Sequence, residues 1–199
     1  MLLNCFARSR AGLLGACTGL LLAGCAAVPG GPDGAPRPDD QRFDQAVAAM
    51  QQGPEDNALE LLDELAAEYP ALPGPWVNMG IVHAAAGRDA EAEAAFRHAL
   101  GADPAHAIAH AELGIVLRRQ GRFSEADDAY RAALELDPDY ALAWRNRGVL
   151  LDLYLGRPAE ALECYERYLA LVGGAEADEQ VARWVAELRL RTDTRVANR

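Results

Sequence analysis

Few side chains in this 199-residue chain could do chemistry. The histidines are His83, His98, His106 and His110. His106 and His110 are four apart and would share a helix face, the spacing of two metal ligands. The intervening Ala-Ile-Ala carries no glutamate to act as a base, so the pair reads as packing or surface. His83 reads as a partly buried polar ring. Hydroxyl nucleophiles are confined to Ser9, Ser124, Thr18, Thr192 and Thr194, too few and too scattered for serine-hydrolase chemistry. No glycine-rich loop follows a strand, because no strand pattern is present. The sequence therefore assigns no catalytic residue, no metal site and no cofactor. A hydrolase or metal-dependent enzyme is kept as the alternative from another functional class.

The cysteines carry an address rather than a site. Arg8 and Arg10 precede Ala11 to Gly24, a run without charge dominated by Leu, Ala and Gly, as in an export signal spanning residues 1–24. The run is too short for a comfortable membrane span, which needs roughly 20 apolar residues. Leu22-Ala23-Gly24-Cys25 resembles the lipobox of bacterial lipoproteins. That resemblance implies a Cys25 that is acylated, palmitate included, and that begins the mature chain. Ala26 stands where lipoproteins retained in the inner membrane carry Asp, which implies the outer membrane, facing the periplasm. Cleavage after Ala26 or Ala27, leaving a soluble periplasmic protein, is the alternative. Residues 25–40 hold Pro29, Pro32, Pro36 and Pro38 among glycines and read as a tether. Cys164 remains without an intramolecular partner and reads as a small buried hydrophobe.

Charge excludes another class. With 19 basic residues, all arginine, against 30 acids, the formal charge is −11, so no face is basic enough for nucleic acid. Nor does any motif suggest a small-molecule substrate. The acids concentrate early: Asp39 to Leu72 holds nine acids and one arginine, either a solvated face or a field that steers a basic partner.

The elements that must organise these residues follow a period. Gly53, Gly87 and Gly121 are 34 apart, as are Ala58, Ala92 and Ala126, and Pro70, Pro104 and Pro138. Within that period each unit has two helix-length apolar patterns, broken at a glycine and closed at Asp103-Pro104 or Asp137-Pro138. Small residues at Gly80, Gly114 and Gly148 mark close helix approach, and Phe96, Tyr130 and Tyr165 fill the gap. The second unit reads Trp76-x2-Met79-Gly80, Ala92-x3-Phe96, Pro104; the third has His110 in the Trp place. This resembles the tetratricopeptide repeat (TPR). The fold class is therefore all-α, a TPR α-solenoid of three clear repeats (73–106, 107–140, 141–175) and one atypical repeat (41–72). A capping helix over 176–191 follows, on the stripe Val181, Trp184, Val185 and Leu188, and then a frayed tail over 192–199. The fourth repeat departs twice: Arg147 replaces the usual Leu, and Gly148 to Gly156 is one residue longer than in the other units, which predicts a longer helix or a π-bulge.

By the TPR resemblance, the first helix of each pair lines a concave groove presenting Val77, Asn78, Ile81 and Ala85, then Ala111, Glu112, Ile115 and Arg119, then Arg145, Asn146, Val149 and Leu153. Arg119, Arg145 and Asn146 beside Ile115 and Val149 suggest an acidic peptide as ligand, with the Trp184 stripe as the rival interface. Val77 and Ile81 stand where chaperone-binding TPRs carry Lys and Asn, so that partner class is not supported. Signal, lipobox, tether and repeats together resemble small TPR lipoproteins of type IV or Flp (Tad) pilus and secretin assembly. The resemblance implies a non-enzymatic, membrane-anchored scaffold for protein partners.

Overall fold

Every expected break between paired helices in the clear units falls on a glycine in the left-handed region: Gly87, Gly121 and Gly156 have φ of 76°, 79° and 62°. A computed structural model describes residues 38–197. Its helices are α1 (Pro38–Gln52), α2 (Glu55–Glu68), α3 (Pro73–Ala85), α4 (Asp89–Ala102), α5 (Ala107–Arg119), α6 (Phe123–Leu136), α7 (Ala141–Leu153), α8 (Pro158–Val172) and α9 (Glu179–Ala197). No strand occurs among the described residues, and the class is all-α as the periodicity predicts. The Arg88 N–H donates to the His83 carbonyl and the Arg122 N–H to that of Leu117, each at 2.9 Å. This bond closes a helix end only if the residue between adopts positive φ, which glycine does without steric cost. Between units, Asp103 and Asp137 accept at 3.0 Å from the backbone N–H two residues on, fixing the Asp-Pro turns.

Pairs pack in sequence, each helix against the next, and α1, α3, α5 and α7 also touch across units. The even-numbered helices do not touch one another, so the odd-numbered helices form the inner, tighter wall of a curved stack. Inside each clear pair an aromatic ring lies on a glycine. A Cβ at Gly80, Gly114 or Gly148 would fall 2.5, 2.8 or 2.6 Å from a ring carbon of Phe96, Tyr130 or Tyr165. All three rings are buried.

The fourth unit resolves its two departures. Its first helix is not lengthened: α3, α5 and α7 have 13 residues each. The extra residue lies in the turn, where the N–H groups of Leu155 and Arg157 reach back to the carbonyls of Leu150 and Leu151 at 3.1 and 2.9 Å. That wider turn places Tyr154 against Phe123, with ring centroids 4.8 Å apart, and sends Leu155 into the core. The expected longer helix or π-bulge is thus corrected, because the turn absorbs the insertion without breaking a helical ladder. Arg147 is not an unpaired charge in an apolar site. Its Nε donates at 2.7 Å to Asp127, 7% exposed on α6, whose other oxygen accepts from Arg157 at 2.9 Å.

The ends differ from expectation. The helix α1 begins at Pro38, inside the expected tether of 25–40, since a helix tolerates proline in its first turn. The signal (1–24) and Cys25 lie outside the described residues. The cap starts at Glu179 because Asp178 accepts from the N–H groups of Gln180 and Val181, both at 3.1 Å. It continues to Ala197, past the tail expected from Thr192, since no glycine or proline intervenes to end it. Val181, Val185 and Leu188 are buried against α8 in one cluster with Tyr165, Tyr168 and Leu169.

Two outcomes follow for stability. Gly114→Ala drives a methyl into the fully buried Tyr130 ring and should destabilise by about 1–3 kcal/mol, read as a lower urea midpoint with unchanged helicity. Truncation after Val172 strips the three buried cap side chains, worth roughly 1.5–3 kcal/mol each. The shortened chain should melt well below the full one; identical melting would mean that α9 does not cap the array.

Candidate partner-binding groove

The 34-residue period puts equivalent side chains of α3, α5 and α7 in register along the inner wall. Asn78, Glu112 and Asn146 form one row; Ile81, Ile115 and Val149 form the next. On α5, Glu112, Ile115 and Arg119 follow at helical spacing, all partly or fully exposed, while Leu113, Val116 and Leu117 of the opposite stripe are buried. Ile81 and Ile115 rest on the core cluster of the second and third units, and Val149 on that of the fourth. The result is a half-accessible aliphatic floor beside a polar row. Val77 and Ala111, expected at the groove, are buried between helices instead, because their positions face the neighbouring pair. The same period extends the groove to a row absent from the sequence expectation, Gly74, Ile108 and Leu142, the last 53% exposed. Leu153, at the far end of the same stripe on α7, is 68% exposed.

The two arginines expected to read a ligand are occupied within the chain. Arg119 donates at 2.9 Å to the Ala84 carbonyl at the end of α3 and pairs with Asp89 at the start of α4. It therefore ties the second unit to the third. Arg145 turns toward the cap: its guanidinium lies 5.9 Å from the Trp184 ring centroid, and its closest carboxylate is Asp178 at 3.9 Å. The Arg145 Nε is buried without a hydrogen bond among the described residues. Asn78 donates at 2.9 Å to the Gly74 carbonyl.

Glu112 stands apart from its neighbours. It makes no hydrogen bond or ion pair with any described residue. Burial pushes its carboxyl above the usual glutamate range, and the positive charge of Arg119 offsets this only in part. Burial also lifts the adjacent Tyr140 hydroxyl to about 12, with the Glu112 charge adding to the effect.

Each histidine has a partner within the chain. His106 Nδ1 accepts at 3.2 Å from the Ala109 N–H, capping α5. His110 Nε2 lies 3.0 Å from the Pro104 carbonyl, so that nitrogen carries the proton. Trp144 makes the same contact, donating to the Pro138 carbonyl at 2.9 Å. His110 thus does the work of the tryptophan it replaces, and no group of three or more metal-type ligands occurs among the described residues. His98 stacks on Trp76 at 4.5 Å. His83 accepts from Arg88 Nε at 2.9 Å, and burial together with the Arg88 charge lowers its basicity. Cys164 is buried, its thiol pushed up to about 11 by burial, which leaves no reactive thiolate at neutral pH.

The Glu112 environment sets a pH signature. An acid whose folded-state pKa is raised adds stability below the unfolded value, near 4.5, and loses it as pH rises through the folded one. Glu112→Gln is therefore expected to raise the melting temperature at pH 7 and to leave it unchanged at pH below about 4. A difference that persists into acid would show that the ionised carboxylate is not the cause.

Three comparisons bear on this architecture. A tetratricopeptide repeat model matches residues 77–141 and 112–176, and a second matches 42–71, the unit lacking Trp and Leu-Gly. No curated protein matches the sequence. Among solved structures, Pseudomonas aeruginosa PilF superposes with a TM-score of 0.68 at 23% identity, over 79% of this chain and 70% of that one. MamA from Desulfovibrio magneticus RS-1, from residue 41 onward, superposes with a TM-score of 0.63 at 21% identity, over 78% and 85%. At these identities the likeness establishes the fold. With the repeat models covering more than half of the sequence on the same helix pairs that build the groove, the chain belongs to the tetratricopeptide repeat family.

Proposed function

We propose that this protein is a lipid-anchored scaffold, held through Cys25 at the periplasmic face of the outer membrane, that binds a protein partner in its groove and assists assembly of an envelope complex. The observation that carries the binding half is the inner wall of α3, α5 and α7, where aliphatic and polar rows repeat every 34 residues and leave a continuous strip open. A strip of that kind suits an extended or helical segment better than a small molecule. The anchoring half is supported by the lipobox-like Leu22-Ala23-Gly24-Cys25 and the proline-rich stretch after it. No helix among the described residues is long and apolar enough to cross a membrane. Several acyl chains, at roughly 0.8 kcal/mol per buried CH₂, would provide a stable attachment.

Pilus or secretin assembly is the finer reading. It is supported by the combined order of signal, lipobox, tether and repeats, which resembles the small lipoproteins of that class; the likeness to PilF contributes the fold alone. The alternatives are a soluble periplasmic binding protein and, from another class, a periplasmic enzyme.

Anchoring is tested directly. Cys25→Ala should move the protein from the membrane to the soluble fraction and leave its helicity intact. Unchanged fractionation, or a mature chain that begins at Ala27 or Val28, would overturn attachment through Cys25.

A further inference from the structure

Of the groove residues Glu112, Arg119 and Arg145, only Glu112 makes no ion pair with a described residue. Arg119 and Arg145 are held by Asp89 and by Asp178 with Trp184. On α7, Asp152 pairs with Arg191 of α9 at 3.1 Å. The residues equivalent to Glu112 in the neighbouring units are amides, Asn78 and Asn146, which fill the same place without a charge. A carboxylate set half-buried between two amides, with aliphatic side chains on one flank, is costly to the free protein. The cost is offset when a cation with hydrogen-bond donors enters. Local ligands do not suffice for a metal ion, since the described residues contain no group of three or more metal-type side chains. The cation that fits is therefore a side chain of a bound polypeptide.

Resting on the groove reading above, we propose that Glu112 is the specificity-determining residue of this groove: it receives an arginine or lysine of the partner segment, whose apolar side chains lie on Ile81, Ile115 and Val149. The sign of the ligand is thus opposite to the acidic peptide that the sequence suggests, because both groove arginines are engaged within the chain. The wider field agrees. The stretch from Asp39 to Leu72 carries nine acids against one arginine, so a basic segment is drawn along the groove rather than repelled from its first unit.

The test uses the full chain and pools of randomised peptides in which one position is fixed in turn as Arg, Lys, Leu or Glu. The wild-type chain should prefer Arg or Lys over Leu at one register by about tenfold, the scale of a charge-assisted hydrogen bond. Glu112→Gln should abolish that preference, and Glu112→Arg should transfer it to the Glu pool. Ile115→Asp should remove binding of every pool. If the wild type shows no preference for a base, or Glu112→Gln retains it, while Ile115→Asp still abolishes binding, the groove stands and Glu112 is not its selector. If no pool binds, or Ile115→Asp changes nothing, the groove reading fails and the inference falls with it.

Discussion

The seating of one aromatic ring on one glycine is the contact from which the remaining geometry follows. Phe96 on Gly80, Tyr130 on Gly114 and Tyr165 on Gly148 each close a helix pair to a distance that no Cβ would permit. The ring fixes how the two helices of a unit are rotated against each other. That rotation buries one stripe of the first helix and leaves the stripe through Asn78, Glu112 and Asn146 on the inner wall. The first unit uses the same constraint with different volumes. One period before Gly80 and Phe96 stand Ala46 and Leu62, both fully buried in one cluster. A larger small residue meets a smaller large one, and the pair closes by conserving summed volume. The unit thus keeps the fold with Ala46 and Leu62 in place of the glycine and the ring.

If rings close the units, arginines align them. The residue after each turn glycine reaches back to an acid of the preceding unit: Arg88 to Glu55, Arg122 to Glu93 and Arg157 to Asp127. Arginine suits the role because its planar fork can hold two acceptors at once, one across units and one a turn ahead, as Arg122 does with Glu93 and Glu125. Burial works against the Glu93 charge, but hydrogen bonds from Arg122, Arg97 and Gln120 outweigh it and hold its carboxyl at about 2. Partly exposed pairs of this kind add little stability individually. Their fixed spacing sets the register between units. The joint between third and fourth units is the exception in depth, since Asp127 is buried and Arg147 joins Arg157 upon it.

Much of the fold was legible because it is written in backbone constraints. Glycine at each left-handed turn, the Asp-Pro pairs at 103–104 and 137–138 and a ring for the small residue of each clear unit recur at one spacing or within one residue of it, and spacing survives without a structure. The apolar stripe of α9 was legible for the same reason, whereas its true end was not, since nothing in Thr192 to Ala197 either breaks or demands a helix. The added residue before Gly156 was visible as a number but not as a place, because a helix and a wide turn absorb one residue equally well on paper. In the groove, the rows of Asn78, Glu112 and Asn146 and of Ile81, Ile115 and Val149 followed from the TPR resemblance, with the period setting their register. What period does not reveal is which charges are already used: Arg119 meets Asp89 across 30 positions, a pairing set by the stacking of units rather than by either helix.

If Glu112 selects a basic side chain as proposed, the distribution of used and unused charge is what lets an acidic chain with no lysine discriminate. Several of its arginines sit at the joints and pair with an acid from another element: Arg42 with Glu68, Arg167 with Asp139, Arg189 with Glu166 and Arg191 with Asp152. Positive charge is thereby spent on geometry, and the excess acids are left to face solvent or the groove. Most face solvent, where hydration makes them inexpensive and unselective. Glu112 is held where hydration is partial and the nearest cation is already engaged. A charge in that position is more discriminating than a surface acid, because a wrong ligand both leaves it unpaired and strips its remaining water. The selectivity proposed for this groove would therefore arise less from added binding residues than from the pairing of Arg119 and Arg145 within the chain.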